Sequence, residues 1–501
     1  MKTLRITIVF VLLIFSSFCL IAQTENIGKI DSLIRISMDN YKIPGAAIAI
    51  VQNDSVIFSN GYGTRVFGKN EPVDQNTIFV IASCSKAFTT SALSILVDHG
   101  KLKWDDPVIK YIPYFEMYDP WVTKEITIRD LVTHRSGLAT FSGDFLWLGS
   151  NYDIEDIINR AKFLKPVSSF RTKYGYQNIM YITAAQIIKE ITDTSWSDFI
   201  QAHILEKLGM INSKTSYKGM LDSPNFSKSH YDKKGETYIY SDLQKDNATG
   251  AIGISSSVND LSKWIRLQLG KGKFNDQQIF SERQSNEMFA NHMFVGNMNY
   301  GLGWFIRYVN GKKVINHGGG MPGMISDVTL VPEDNFGFVI LSNHDSGSGF
   351  VSTIRNYILD FFAGVEPKDY NKTILDNWNK RLERYENEDK RREEIRVKNT
   401  KPSMPLEKYC GTYEDKMYGT LEIKIKDQNL YIQFIPTETF KGELKHYHYD
   451  TFYIDWEDQF LTRGWVKFDM DFRGNPNKIL IEVPNSPDFI FTELQFDRKE
   501  N

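Results

Sequence analysis

Cysteine is scarce in this chain, with three in 501 residues, at Cys19, Cys84 and Cys410. Cys84 and Cys410 fall in segments that read as different domains, so no disulfide framework is expected. Charge is not concentrated either. The net charge is −3 and no basic tract occurs, which removes the electrostatic footprint that nucleic-acid binding needs. There is no His-Glu-x-x-His. His446 and His448 alternate as on one strand face, but no nearby Cys, Asp or Glu completes a ligand set at the right spacing, so no metal is expected. Asp345-Ser346-Gly347-Ser348-Gly349 has loop composition without a phosphate-binding lysine. No Gly-x-Ser-x-Gly elbow is present, and there is no internal repeat or low-complexity tract.

What is present begins with residues 1–22. Lys2 and Arg5 precede an almost unbroken apolar run from Ile6 to Ile21, and Ala22 offers a small residue before Gln23. This reads as a secretory signal peptide. A lipoprotein or an uncleaved membrane anchor is the less favoured reading, because Phe18 before Cys19 is bulky and the run is short for a span. The expected location is therefore periplasmic or secreted.

The remainder divides by pattern. Residues 27–41 carry apolar positions at helical spacing up to Pro44. Runs Ala46–Val51 and Val56–Ser59 flank Asn53-Asp54 as a hairpin. Residues 100–290 are mostly helical, and short strands return between Tyr300 and Leu341, followed by an amphipathic helix from Val351 to Phe362. That order implies an α+β domain over 23–365. Its antiparallel sheet is assembled from both ends of the domain, flanked by helices and interrupted by a large helical insertion. Residues 366–403 are charge-dense and read as a solvated helical linker. Residues 404–501 contain short strands at even spacing and read as a small all-β barrel or sandwich.

Three segments carry chemistry. Ser83 and Lys86 lie three residues apart where the apolar run Ile78–Ile81 gives way to a helical pattern. Residues at that spacing share a helix face, so the lysine reaches the serine hydroxyl and can serve as the base a weak nucleophile needs. Tyr174-Gly175-Tyr176-Gln177-Asn178 offers a phenol whose pKa a nearby lysine would lower, and an amide for substrate. His317-Gly318-Gly319-Gly320 ends a strand-like run, and its N–H groups can face a developing oxyanion. His134 reads as a turn residue, and Cys84 as a small buried helix residue.

The order Ser-x-x-Lys, Tyr-x-Asn, His-x-Gly resembles the family of class C β-lactamases, D-alanyl-D-alanine carboxypeptidases and serine esterases. Thr127–Leu138, Gly100–Val108, Leu208-Gly209-Met210 and Tyr300–Trp304 are similar to stretches of the same family, and the likeness spans 27–362. The resemblance implies Ser83 as nucleophile, Lys86 as its base partner, and Tyr176 as proton relay. It implies substrate contacts from Asn178, His317, Gly318 and Gly319, and an oxyanion hole from the N–H groups of Ser83 and Gly320. Whether Lys86 or Tyr176 takes the first proton is left open, as is which glycine completes the hole. His317 stands where many β-lactamases carry lysine, and Ser241-Asp242-Leu243 is not Ser-Asp-Asn. These departures favour an esterase or D-amino-acid peptidase over a β-lactamase. The alternative is a penicillin-binding-like receptor without turnover, whose β domain mediates interaction. No cofactor is implied. The expected partner is a small-molecule or peptide substrate, with membrane contact only through an uncleaved anchor. Pocket shape is expected to come from around Trp147, Tyr152 and the Met293–Asn299 loop.

Overall fold

The computed structural model describes residues 27–233, 236–240, 246–458, 461–484 and 489–499. The expected signal segment and Ser241-Asp242-Leu243 fall outside them.

The strand Gly45–Gln52 shows why the large sheet is central. Ala46, Ile48 and Ile50 point to one face, while Ala47, Ala49 and Val51 point to the other, and all six are fully buried. Successive strand residues alternate faces, so a run apolar at every position marks a sheet covered on both sides. One cover is the helix over 27–41 together with Gly347–Phe362, whose Ile30, Ile34, Phe350, Ile354 and Ile358 share a core with Ile48 and Ile340. The other cover includes the helices Ser85–Asp98 and Val258–Leu269.

All eight strands of this sheet pair antiparallel. Their spatial order is Ser55–Gly63, Gly45–Gln52, Phe336–Ser342, Met324–Val331, Lys312–Met321, Phe305–Val309, Met298–Tyr300 and Met293–Val295. The two N-terminal strands lie beside the last one of the domain, as in Ala46↔Ser342. The helical region between them is an insertion. This is an α+β, β-lactamase/penicillin-binding-protein-like fold. The single strand expected over Tyr300–Tyr308 is two strands, because Gly301 and Gly303 break it. Gly303 has φ +80°, and a Cβ there would approach the helix backbone at Lys86 and Ala87 within 3.1–3.2 Å. The expected Met293–Asn299 loop is a hairpin at the edge of the sheet, with Met298 opposite Val295.

Tyr370–Ile395 is a 26-residue helix. Beyond it, strands from Gly411–Asp415 to Phe496–Arg498 close into an eight-stranded barrel, so of the two expected forms the barrel is the one adopted. Its interior is filled by side chains that include Tyr413, Phe434, Phe452, Phe468 and Phe496, all buried. Lys441–His448 is one of its strands, with a register irregularity between His446 and His448. His446 Nε2 meets the Tyr449 carbonyl at 2.9 Å, and His448 Nδ1 accepts from the Val397 N–H at 3.3 Å. Among the described residues no group of three or more His, Cys, Asp or Glu is placed to hold a metal ion.

The barrel docks on the helical insertion. The Tyr152 hydroxyl donates to the Tyr418 carbonyl at 2.5 Å, and the Arg160 guanidinium to the Met417 carbonyl at 2.7 Å. The Asn151 N–H donates to the Pro436 carbonyl at 2.7 Å, a bond that joins backbone to backbone across the two domains. Of the residues expected to shape the pocket, Trp147 is buried, while Tyr152 is engaged by this contact and also lines a cleft beside it. This cleft of 1740 Å³ opens beside the junction, with Arg160, Lys165, Lys416 and Thr420 in its walls. None of Ser83, Lys86, Tyr176 or Asn178 lines it.

Candidate active site

Ser83 sits in the short turn Ala82–Cys84 that leads into the helix Ser85–Asp98. Residues Ser85 to Leu96 of that helix are buried, so it has no solvent face and its position is fixed by packing all round. The turn is strained, since Ala82 holds φ +45° although it carries a Cβ. Such conformations persist only where the surroundings enforce them. Here the enforcing groups are the Ile81 N–H, bonded to the Ile254 carbonyl at 3.1 Å, and the Ile81 carbonyl, which accepts from Ser326 Oγ at 2.7 Å.

Lys86 is fully buried. Its Nζ donates to Asn178 Oδ1 at 2.7 Å and to the Ala251 carbonyl at 3.2 Å, and lies 3.0 Å from Ser83 Oγ. The first two partners can only accept. Of these three, only the serine hydroxyl can give the nitrogen a proton. Nζ also lies 4.7 Å from the ring centre of Tyr176 and 5.4 Å from that of Tyr181, faces that attract the positive charge it gains on taking a proton.

Tyr176 is hydrogen-bonded to Ser83. The expectation that lysine would lower its pKa is overturned. Burial holds the phenol well above its ordinary value, the neighbouring Tyr174, Tyr181 and Asp144 push the same way, and the Ser83 bond opposes them. Desolvation of the charged form outweighs the lysine's attraction. Tyr176 is therefore a neutral phenol in the resting site.

Asn178 begins the helix Asn178–Thr192. Its Oδ1 faces Lys86, and its Nδ2 donates to Asp144 Oδ2 at 2.8 Å. Asp144 is 1% exposed. No spacing or motif in the sequence points to it, because it lies in an irregular loop remote from the three segments. Tyr181 carries no sequence signal either, and Tyr300 stands in the family-like stretch Tyr300–Trp304 without any sign of a role. Both look like ordinary core aromatics until folding places them around Lys86 and His317.

His134 holds the Tyr-x-Asn segment. Its carbonyl accepts from the Gly175 N–H at 2.9 Å, and its Nδ1 accepts from the Gln177 N–H at 3.1 Å, which leaves the ring proton on Nε2. Its ring lies 4.3 Å from that of Tyr176. Burial, then Lys86 and His317, keep its pKa well below the ordinary value.

His317 is 1% exposed. Its Nδ1 meets the Gly318 carbonyl at 2.6 Å, so that nitrogen carries the proton, and Nε2 accepts from the Tyr300 hydroxyl 3.1 Å away. The neutral ring is thus fully satisfied. Burial, and then the Lys86 charge, push its pKa down to about 3. His317 presents no cation.

The three glycines differ. A Cβ on Gly319 would lie 2.1 Å from the Ile81 carbonyl oxygen, whereas Gly318 and Gly320 would meet nothing nearer than 3.6 and 3.7 Å. Gly319 is the residue that lets this strand close on the nucleophile turn. The neighbouring strand Phe305–Val309 pairs only as far as Asn316↔Phe305, so among the described residues Gly318–Gly320 have no strand partner on that side. Cys84 is buried, its Sγ donates to the His317 carbonyl at 3.1 Å, and burial raises its thiol to about 12.

Comparison with known proteins adds the family. The family model described as Beta-lactamase matches residues 30–361, and a Domain of unknown function (DUF3471) matches residues 395–498. The chain belongs to the Beta-lactamase family. It is 26% identical over 450 residues to an "Unguisins hydrolase ungD'" of Aspergillus campestris, covering 81% of this chain and 80% of that one. It is 29% identical over 324 residues to a "Protein flp" of Staphylococcus aureus, covering 64% of this chain and 63% of the other. Among solved structures, an octameric penicillin-binding protein homologue from Pyrococcus abyssi superposes with a TM-score of 0.62 at 22% identity, over 94% of this chain and 99% of that one. A class C β-lactamase superposes with a TM-score of 0.56 at 21% identity, over 66% of this chain and 96% of its own. These structural likenesses concern the fold.

Proposed function

We propose that this protein is an exported serine hydrolase that cleaves a carboxylic ester or amide through an acyl-enzyme on Ser83. The observation that carries the reading is the buried Lys86 Nζ, 3.0 Å from Ser83 Oγ, whose bonds to Asn178 Oδ1 and the Ala251 carbonyl can only be donated. Lys86 acts as its neutral amine: as Oγ attacks the carbonyl carbon, the hydroxyl proton passes to the Nζ lone pair, leaving an ammonium, and a tetrahedral oxyanion forms. The N–H groups of Ser83 and Gly320 face that oxyanion. The bond to the leaving group then breaks, and the Tyr176 hydroxyl protonates the departing oxygen or nitrogen while recovering a proton from Lys86. Water repeats the sequence on the acyl-enzyme, releasing the acid and restoring Ser83.

Lys86 is the first base in this scheme. A tyrosinate would have to form against the burial that holds Tyr176 protonated. The neutral, buried His317 supplies no positive charge for a substrate carboxylate. That supports an ester, or a D-amino-acid peptide without a free carboxylate beside the scissile bond, over a β-lactam. The name of the fungal relative supports hydrolysis.

The test is labelling by a fluorophosphonate. Ser83 of the wild type is expected to be modified and Ser83→Ala to stay blank, and an unlabelled wild type sinks the proposal. A turnover panel of p-nitrophenyl esters, D-alanyl-D-alanine peptides and a chromogenic cephalosporin then ranks substrates, with the esters expected first. Export rests on residues 1–22. Mass spectrometry of the extracytoplasmic protein is expected to find a chain beginning at Gln23.

A further inference from the structure

The short turn Asp144–Leu146 touches both domains. Asp144 reaches inward to the Asn178 amide at 2.8 Å. The next residue, Phe145, points the other way, its ring 4.6 Å from Phe489 and 4.7 Å from Phe491 of the barrel segment, with Tyr418 and Phe440 further out at 5.8 and 6.5 Å. Just before the turn, Glu493 of the barrel accepts from Ser142 Oγ at 2.5 Å and from the Gly143 N–H at 3.2 Å. Gly143 has φ +82°, and a Cβ there would lie 2.8 Å from Leu164 Cδ1. A side chain at this position would therefore crowd Leu164. A continuous set of contacts runs from the barrel through Ser142–Phe145 to Asn178 and Lys86.

We propose that Asp144 is a positioning residue for the Lys86–Asn178 pair, and that the C-terminal barrel holds it in place through Glu493 and the pocket around Phe145. The inference rests on the acyl-transfer reading above and deepens it. An amide is nearly symmetric in shape, so packing alone does not decide which end faces the lysine. A carboxylate does, because it accepts hydrogen bonds and cannot donate them when ionised. Asp144 takes the Nδ2 end, which leaves Oδ1 for Lys86. Its negative charge also balances the desolvated ammonium that Lys86 becomes on taking the serine proton. Other titratable or charged groups around that nitrogen include Tyr176, Tyr181, His134, His317 and the Cys84 thiol, which burial keeps protonated. The two histidines are neutral and burial raises both tyrosines, so Asp144 is the anion of this set.

Two substitutions separate its two effects. Asp144→Asn keeps an acceptor for Asn178 but removes the charge. The midpoint of the pH profile for fluorophosphonate acylation is then expected to fall by about one unit or more, with the plateau rate within about threefold of wild type. The direction is the same whichever protonation state of Lys86 is the active one. Asp144→Ala removes the acceptor as well. It is expected to lower the plateau rate by at least ~10-fold, with little change in KM for an ester. In the barrel, Glu493→Ala is expected to reproduce part of the Asp144→Ala loss, while Glu493→Gln, which keeps an acceptor for Ser142 and Gly143, restores most of the rate.

Thermal melting accompanies each variant, and the near-isosteric Asp144→Asn serves as the reference if Asp144→Ala does not fold. An unmoved midpoint in Asp144→Asn overturns the charge role. Equal rates in wild type and Glu493→Ala overturn the barrel's part. Absence of labelling in the wild type is a different result and overturns the hydrolase reading instead.

Discussion

Replacing His317 by asparagine should make the protein less sensitive to acid. The ring is buried, its neutral form is bonded at both nitrogens, and its pKa falls from 6.5 to about 3 on folding. Between those values the unfolded chain takes up a proton that the native state refuses. Stability therefore falls as pH drops below about 6.5 and levels off only below about 3. At about pH 5 the unfolded histidine is protonated by about thirty to one and the native one hardly at all, which amounts to ~2 kcal/mol relative to about pH 7.5. The assay is urea unfolding of wild type and His317→Asn at those two pH values, followed by tryptophan fluorescence. The wild type is expected to lose ~2 kcal/mol more than the variant on acidification. His134 and His230, whose pKa values are also lowered by burial, contribute to both proteins and cancel in the comparison. Equal acid losses would show that His317 is not held neutral. The argument that the site offers no cation at this position would then fall with it.

Further expectations follow from the same geometry. Lys86→Ala and Tyr176→Phe should each cost at least ~10² in acylation rate, and near-normal stopped-flow labelling in either variant removes that residue from the mechanism. Gly319→Ala places a Cβ 2.1 Å from the Ile81 carbonyl oxygen. It should destabilise the protein by ~1–3 kcal/mol and slow labelling, whereas Gly320→Ala, with 3.7 Å of room, should keep the wild-type melting temperature. Cys84 should resist iodoacetamide in the native protein near neutral pH, because its thiol is buried and its pKa is raised to about 12. Peptide mapping that finds it alkylated at the rate of an exposed thiol would contradict that packing.

The fold is legible where patterns are local. The all-apolar strand Gly45–Gln52, the hairpin after it and the final helix of the catalytic domain are visible as runs and periods. The barrel strand Gly411–Asp415 is hard to see, because it is short and its buried face carries the charged Asp415 beside Tyr413. In the site, Ser83, Lys86, Tyr176, Asn178 and His317 stand in recognisable segments, and the structure brings them around one point. Electrostatics is less legible. Proximity to a lysine suggests an acidic tyrosine, but the sign depends on burial, which is a property of the whole domain. Asp144 is invisible for a similar reason. Its partner Asn178 is 34 positions away, and nothing in the intervening residues marks the pairing.

The contact between Ser142 and Glu493 spans 351 positions of chain. During synthesis the loop bearing Asp144 emerges long before the segment that anchors it. Closing so long an interval comes late in folding, because its entropy must be met before the contact repays it. A nascent chain with its catalytic sheet already paired therefore still lacks the support behind Asn178. The full acylation rate proposed above is reached only once the barrel has closed.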